Sequence, residues 1–131
     1  MVIDTSAVLV LLLAEPESDR VLEAILASER RLVGAPTLVE AAAVMRAKRG
    51  PSGVIALDAL LQELDIEVVA MSKEAARLAS DAYCRYGKGV GSPGVLNYGD
   101  CLAYGVARDL QEPLLFKGDD FGRTDVDAVA Y

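Results

Sequence analysis

The chain contains no histidine, no tryptophan and only two cysteines among its 131 residues. The absence of histidine excludes serine–histidine and cysteine–histidine nucleophile systems, histidine acid–base catalysis and histidine-ligated zinc sites. The two cysteines, Cys84 and Cys101, cannot form a four-cysteine zinc site, and so low a number predicts reduced thiols in a cytosolic protein. Among the residue types that remain, carboxylates are the ones on which catalysis could depend.

Positive charge and long apolar segments are also scarce. With 13 basic and 20 acidic residues, the net charge of −7 argues against a general, sequence-independent nucleic-acid-binding protein. It does not exclude an enzyme that reaches a phosphate through a metal ion. The longest apolar run, residues 7–14, is far shorter than the roughly 20 residues of a membrane span, and no basic residue precedes it as in a signal peptide. We therefore expect a cytoplasmic protein with no membrane segment.

Length and composition predict a single domain over residues 1–131, since 53% of the residues are hydrophobic and can form a substantial core. Short apolar strands alternate with helices, which predicts an α/β fold: a three-layer α/β/α sandwich with a short, mostly parallel sheet. Strands are predicted at residues 1–3, 32–33, 66–70, 113–116 and, as an edge strand, 125–129. Helices are predicted at residues 6–13, from 16, 37–48, 52–64, 72–86 and 97–110.

Four acidic positions are predicted to meet at one edge of this sheet. In open parallel sheets the functional crevice lies beyond the carboxyl ends of the strands. Asp4 follows the first strand, and residues 119–120, both Asp, follow the strand at 113–116. Glu40 and Asp100 lie in the first turns of two helices, where the helix dipole stabilises an ionised carboxylate by about 0.3–1 kcal/mol.

Two of these acids also have an ordinary structural interpretation. Glu40 lies three residues after Thr37, the spacing of a capping box, in which the glutamate accepts a hydrogen bond from the backbone N–H of the cap residue. Spacing alone favours that role for Glu40. Asp100 lies at the same distance after Asn97, so both acids could serve the helix, a metal ion or both.

Asp4 is followed by two hydroxyl residues, Thr5 and Ser6. This pattern suits a hydrated metal ion, but it also suits a simple turn, in which Ser6 caps the next helix. Two carboxylates about 5 Å apart repel each other by about 3 kcal/mol at an effective dielectric constant near 20. Several such pairs favour a bound cation, and ligation by oxygen alone predicts Mg²⁺ or Mn²⁺.

Four basic residues near these positions could form a local basic rim, although ordinary solvated charge explains them equally simply: Arg85, Lys88, Lys117 and Arg123.

Four parts of the chain resemble the PIN-domain ribonucleases and, more narrowly, the VapC toxins of bacterial type II toxin–antitoxin modules. They are residues 2–6 (VIDTS), Glu40 in an alanine-rich helix, residues 97–104 (NYGDCLAY) and residues 115–121 (LFKGDDF). They occur in the family's order across the whole chain. The resemblance implies an Mg²⁺- or Mn²⁺-dependent endoribonuclease that cleaves structured or messenger RNA, a homodimeric toxin and a cognate VapB-like antitoxin.

The resemblance also implies roles for individual residues. The metal-binding, catalytic acids would be Asp4, Glu40 and Asp100, with polar support from Thr5, Ser6 and Asn97. At the fourth acid the family often has Asp-x-Asp-Phe, whereas residues 118–121 here read Gly-Asp-Asp-Phe. We expect Asp119 to be the fourth catalytic, metal-binding acid, because it lies closer to the end of the preceding strand, and Asp120 to cap the turn or hold Thr124.

Two other functions remain open at this point. A receiver-like or phosphatase-like α/β domain would use an Asp after a strand as a phosphoryl acceptor. A catalytically inactive PIN fold would act only as a protein-interaction module. For any protein partner, the helices predicted at residues 7–13 and 37–48 are the expected contact surfaces because they are rich in Leu, Val and Ala.

Overall fold

The computed structural model describes all residues, 1–131, and contains a four-stranded parallel sheet with helices on both faces. The elements are β1 (Val2–Ile3), α1 (Thr5–Leu12), α2 (Ser18–Ala27), β2 (Leu32–Gly34), α3 (Ala35–Arg49), α4 (Pro51–Glu63), β3 (Glu67–Val69), α5 (Lys73–Tyr86), α6 (Tyr98–Leu110) and β4 (Leu114–Leu115). A short 3-10 turn follows at Phe121–Arg123. The predicted α/β/α sandwich is confirmed.

The strand order in the sheet is β3-β2-β1-β4, and every neighbouring pair is parallel. β1 and β2 therefore lie in the centre and are fully covered. β3 is an edge strand, and its Val68 is 44% exposed although its β-branched composition resembles that of a buried strand. β1, β2 and β4 end at the same edge of the sheet. Asp4, the start of α3 and residues 116–120 follow them there.

The strands divide the core in two because successive side chains point to opposite faces of a sheet. The face covered by α5 and α6 receives Val2, Leu32 and Leu114. The face covered by α1, α2, α3 and α4 receives Ile3, Val33 and Leu115. All six side chains are at most 1% exposed, and each contributes about 1.5–3 kcal/mol by its burial.

Three predicted helix starts are wrong. Helix α2 begins at Ser18 and not at residue 16. Helix α1 begins at Thr5 and is capped by Asp4, not by Ser6. Helix α3 begins at Ala35, directly after β2, and not at Thr37. Its cap residue is Gly34, and Pro36 in the first turn suits a helix start because proline has no N–H that would need a partner there. The predicted starts at Ser72 and Asn97 are confirmed by their cap hydrogen bonds.

The predicted edge strand at residues 125–129 does not form. Its only pairing with the sheet is an isolated parallel bridge between Leu114 and Ala128. Asp125 is held instead by α6, since it accepts a hydrogen bond from the Tyr104 hydroxyl on its carboxylate and one from Arg108 on its backbone carbonyl. The segment therefore reaches β4 only after Asp125.

Cys84 is exposed and Cys101 is buried, and both are free thiols. None of the helices combines the length and the apolar character that crossing a bilayer requires.

Candidate active site

Asp4 is a buried carboxylate, 4% exposed, at the end of β1. Its Oδ2 atom accepts hydrogen bonds from the Ser6 backbone N–H at 2.9 Å and from the Ser6 hydroxyl at 2.6 Å. The Ser6 hydroxyl in turn accepts a hydrogen bond from the backbone N–H of Lys117 at 2.9 Å. Ser6 thus connects Asp4 to the segment that follows β4, although it does not cap α1.

No basic side chain pairs with Asp4. Burial raises the pKa of its carboxyl group, the Ser6 hydrogen bonds oppose that shift, and the negative charge of Glu40 adds to it. A buried carboxylate without a cationic partner is costly in its ionised form. A metal ion bound at this place would remove that cost.

Glu40 is the sixth residue of α3, too far from the helix start to take part in its cap. The capping box predicted from Thr37 is therefore absent, and the Thr37 hydroxyl is buried without a hydrogen-bond partner. The Oε2 atom of Glu40 instead accepts a hydrogen bond of 2.8 Å from the hydroxyl of Thr5 in α1. This contact turns Glu40 towards the residue next to Asp4.

Asp100 is the third residue of α6 and forms the predicted capping box with Asn97. The Asp100 N–H donates to Asn97 Oδ1 at 2.8 Å, and the Asn97 N–H donates to Asp100 Oδ2 at 2.7 Å. Burial raises the pKa of Asp100 to about 6. The hydrogen bond from Asn97 lowers it, the charges of Asp4 and Asp120 raise it further, and Lys88 lowers it. The charges of Asp4 and Asp120 therefore act on the Asp100 carboxyl group.

Gly99 brings Glu40 against the first turn of α6. A Cβ atom at position 99 would lie 2.6 Å from both Oε1 and Oε2 of Glu40. Only glycine leaves room for the carboxylate at this distance. Glu40 therefore lies against the residue next to Asp100, although Glu40 and Gly99 are far apart in sequence. The role of Gly99 was not predicted from the sequence. The feature that could have revealed it is a glycine, an unfavourable residue in helices, in the first turn of α6.

The negative charge of Asp120 raises the pKa of Asp100, and both Asp119 and Asp120 line a pocket beside Phe116 and Arg123. The choice of Asp119 as the fourth acid stays a prediction. Asp119 is exposed and forms no ion pair or side-chain hydrogen bond. Asp120 does not cap the turn, and Thr124 donates its hydroxyl to the carbonyl of Phe121 instead. Strand β4 ends at Leu115, and Gly118, with a positive φ of 102°, turns the chain before Asp119.

The four acids do not form a ready-made metal cage. No group of three or more Asp, Glu, His or Cys side chains converges on one point closely enough to hold an ion. The donor chemistry nevertheless fits Mg²⁺ or Mn²⁺, because only carboxylate and hydroxyl oxygens are present. The side-chain contacts described above use Oδ2 of Asp4, Oε2 of Glu40 and Oδ2 of Asp100, so each carboxylate keeps a second oxygen without a side-chain partner.

The expected basic rim is largely neutralised. Lys117 pairs with Glu15 and Glu17, and Arg85 pairs with Asp125. Lys88 differs from both of these cations because its partner, Asp120, is an acid of the candidate site.

The chain matches the PIN domain family over residues 1–127. It is 40% identical to ribonuclease VapC28 of Mycobacterium tuberculosis, over 96% of this chain and 95% of that protein. It is 43% identical to ribonuclease VapC30 of the same species, over 99% and 98%.

Two solved structures share the fold at low sequence identity. VapC20 of Mycobacterium tuberculosis, described as a sarcin–ricin loop cleaving toxin, superposes with a TM-score of 0.75 at 12% identity, over 95% of each chain. VapBC2 of Rickettsia felis, bound to a DNA fragment from its promoter, superposes with a TM-score of 0.78 at 14% identity, over 98% of this chain and 96% of that one.

Proposed function

Because this chain belongs to the PIN domain family, we propose that it is a metal-dependent endoribonuclease and the toxin of a VapBC-type toxin–antitoxin module. One structural observation supports the proposal: at the carboxyl edge of the sheet, Glu40 bonds to Thr5 beside Asp4 and lies against Gly99 beside Asp100. The relatives that are 40% and 43% identical are named as ribonucleases, which supports the reaction class. RNA in the cytoplasm is the corresponding substrate.

Asp4, Glu40 and Asp100 would hold Mg²⁺ or Mn²⁺, and Asp120 is better placed than Asp119 to complete the set. When bound, such a cation lowers the pKa of a water molecule and stabilises the charge on a phosphodiester. No side-chain nucleophile is required, which agrees with the absence of histidine.

The neighbouring residues orient these carboxylates. Ser6 holds one oxygen of Asp4 with two hydrogen bonds, and Thr5 holds one oxygen of Glu40. Asn97 fixes Asp100 at the positive end of α6, where the helix dipole favours the ionised form. Before a cation binds, Asp100, with its pKa of about 6, is half protonated near that pH. The chain therefore supplies rigid, mutually repelling anionic ligands.

The test is cleavage of RNA by purified protein with Mg²⁺ or Mn²⁺, with chelator, and with the variants Asp4→Asn and Asp100→Asn. Asparagine keeps the size of the side chain and removes its charge, so each variant should lose cleavage while keeping its fold by circular dichroism. Asp58→Asn is the matched control, because Asp58 is exposed on α4 and outside the site. Wild-type rates in Asp4→Asn would show the assignment to be wrong, and cleavage by the wild type would exclude an inactive PIN module.

For its partners, we propose a homodimer that also binds a VapB-like antitoxin. The apolar residues of α1 are all buried or half-buried, whereas α3 and α4 carry exposed apolar side chains, so these two helices are the better contact surface. Val39 is 69% exposed and Ile55 is 68% exposed, and the neighbour from Rickettsia felis is a VapBC complex. Light scattering should detect a dimer that Val39→Glu weakens, and the product of the adjacent gene should co-purify with the chain. A monomer at micromolar concentration, with no binding to that product, would contradict this proposal.

A further inference from the structure

Lys88 is the basic residue that forms an ion pair with an acid of the candidate site. Its Nζ atom lies 3.5 Å from Oδ2 of Asp120, and its positive charge lowers the pKa of Asp100. The two side chains of the pair are 56% and 54% exposed. An ion pair this exposed adds little to stability, because water screens it and ordering both side chains costs entropy. Its accessibility lets either member exchange its partner.

The backbone of Lys88 is fixed relative to the site, whereas its side chain is long and flexible. The Lys88 N–H donates to the Leu96 carbonyl at 2.8 Å, and Gly87 forms a parallel bridge with Leu96. Leu96 directly precedes Asn97, the cap residue of α6. A lysine on this anchor can move its ammonium group by several ångströms on its four-carbon stem without any change of the fold.

Two other cations near this edge form ion pairs with acids outside the candidate site. Lys117 is held by Glu15 and Glu17, and Arg85 by Asp125. Arg123 lines the pocket of Asp119 and Asp120, but Lys88 is the cation that pairs with Asp120. A protein of net charge −7 repels a polyanion, so a cation beside the acids is needed to bring a phosphate close to them.

We propose that Lys88 is a phosphate-binding residue of the active site that changes its counter-ion: it pairs with Asp120 while the acids hold no divalent cation, and with an RNA phosphate once they do. This inference rests on the proposed ribonuclease function. A divalent cation held by these acids would repel the ammonium group and compete with it for the Asp120 carboxylate. The released ammonium group would then be free to pair with an RNA phosphate.

The first experiment measures metal binding without RNA. Mn²⁺ is titrated into wild-type protein, Lys88→Gln and Lys48→Gln by calorimetry. Removal of a competing positive charge should tighten Mn²⁺ binding by Lys88→Gln by about three- to tenfold. Lys48→Gln removes the same charge in the last turn of α3, on the order of 12 Å along the helix from Glu40, and should leave the affinity unchanged.

The second experiment measures cleavage of a fluorophore–quencher single-stranded oligoribonucleotide of mixed sequence, with saturating Mn²⁺ and a series of salt concentrations. Lys88→Gln should raise KM about tenfold and change kcat less than about threefold. Loss of one phosphate contact should also reduce the slope of log(kcat/KM) against log salt by about 0.7. Lys88→Arg keeps the charge and should stay within about threefold of wild type, and Lys48→Gln should match wild type.

The two readouts are expected to move in opposite directions, tighter metal and weaker RNA, which a merely structural role of Lys88 would not produce. Unchanged Mn²⁺ affinity, or an unchanged KM and salt slope, in Lys88→Gln would overturn the inference. Weaker binding of both metal and RNA would overturn it as well. If the wild-type protein cleaves no RNA, the proposed function fails, and the Mn²⁺ titration alone still decides whether Lys88 is a counter-ion of the acids.

Discussion

Adding a single methyl group at position 99 should reduce the activity of this protein without reducing its stability. In Gly99→Ala the new Cβ atom would lie 2.6 Å from both carboxylate oxygens of Glu40, whereas ordinary contact begins at 3.4 Å. Glu40 must therefore retreat from α6 by the difference, 0.8 Å. A displacement of about 1 Å at a reacting centre costs on the order of 100-fold in rate. We expect kcat/KM to fall by about 10- to 100-fold.

The same substitution should not destabilise the fold. Alanine is favoured over glycine in a helix by about 0.5–1 kcal/mol, which offsets the cost of moving the partly exposed Glu40 side chain. Thermal unfolding in chelator should therefore give a melting temperature within a few degrees of wild type, while RNA cleavage in Mn²⁺ is strongly reduced. Gly122→Ala is the matched control, because a Cβ at that position meets nothing within 4 Å.

A second change tests the cause directly. Glu40→Asp shortens the side chain by one methylene and withdraws the carboxylate from position 99. In that background Gly99→Ala should cost less than about threefold, so the double-mutant cycle should show strong coupling between the two positions. Equal losses in both backgrounds, or a fully active Gly99→Ala, would refute the argument that Gly99 makes room for Glu40.

Two further predictions follow from the acids of the site. The pKa of Asp100 is about 6 in the folded protein against an ordinary value of 3.8, so the folded state binds its proton more tightly than the unfolded state does. The free energy of unfolding of the metal-free protein should therefore increase as pH falls through about 6. Thermal melts between about pH 7 and pH 5 should show a weaker pH dependence for Asp100→Asn than for wild type. The same pH dependence in both proteins would contradict the assignment. For the fourth acid, Asp120→Asn should raise the Mn²⁺ concentration needed for half-maximal cleavage more than Asp119→Asn does, and the reverse order in a metal titration of the two variants would return the role to Asp119.

The amino-acid sequence by itself determined the architecture and the elements that depend on neighbouring residues. Apolar strands alternating with helices led to the parallel sheet, because burial on both faces of a sheet demands such a pattern. The capping box of Asn97 and Asp100 was predictable for a similar reason: both hydrogen bonds join residues three positions apart. The absence of histidine likewise led, on composition alone, to the expectation that catalysis depends on carboxylates.

The capping-box spacing gave the wrong role for Glu40, because this residue bonds to a partner that is distant in sequence. Its spacing from Thr37 matches a capping box, but α3 begins earlier, and Glu40 bonds to Thr5, 35 residues away. The helix start moved because α3 follows β2 without a loop, and that junction depends on how the strand fits into the sheet.

Tertiary structure alone decided which acids become neighbours. The course of the chain after β4 follows from Gly118, whose positive φ turns the segment that carries Asp119 and Asp120. The need for glycine at position 99 becomes evident only from the Glu40 carboxylate that lies against it. These contacts join residues that are far apart in sequence. Their geometry is set by the packing of α3, α6 and the end of β4 around one edge of the sheet. No local pattern of residues encodes that packing.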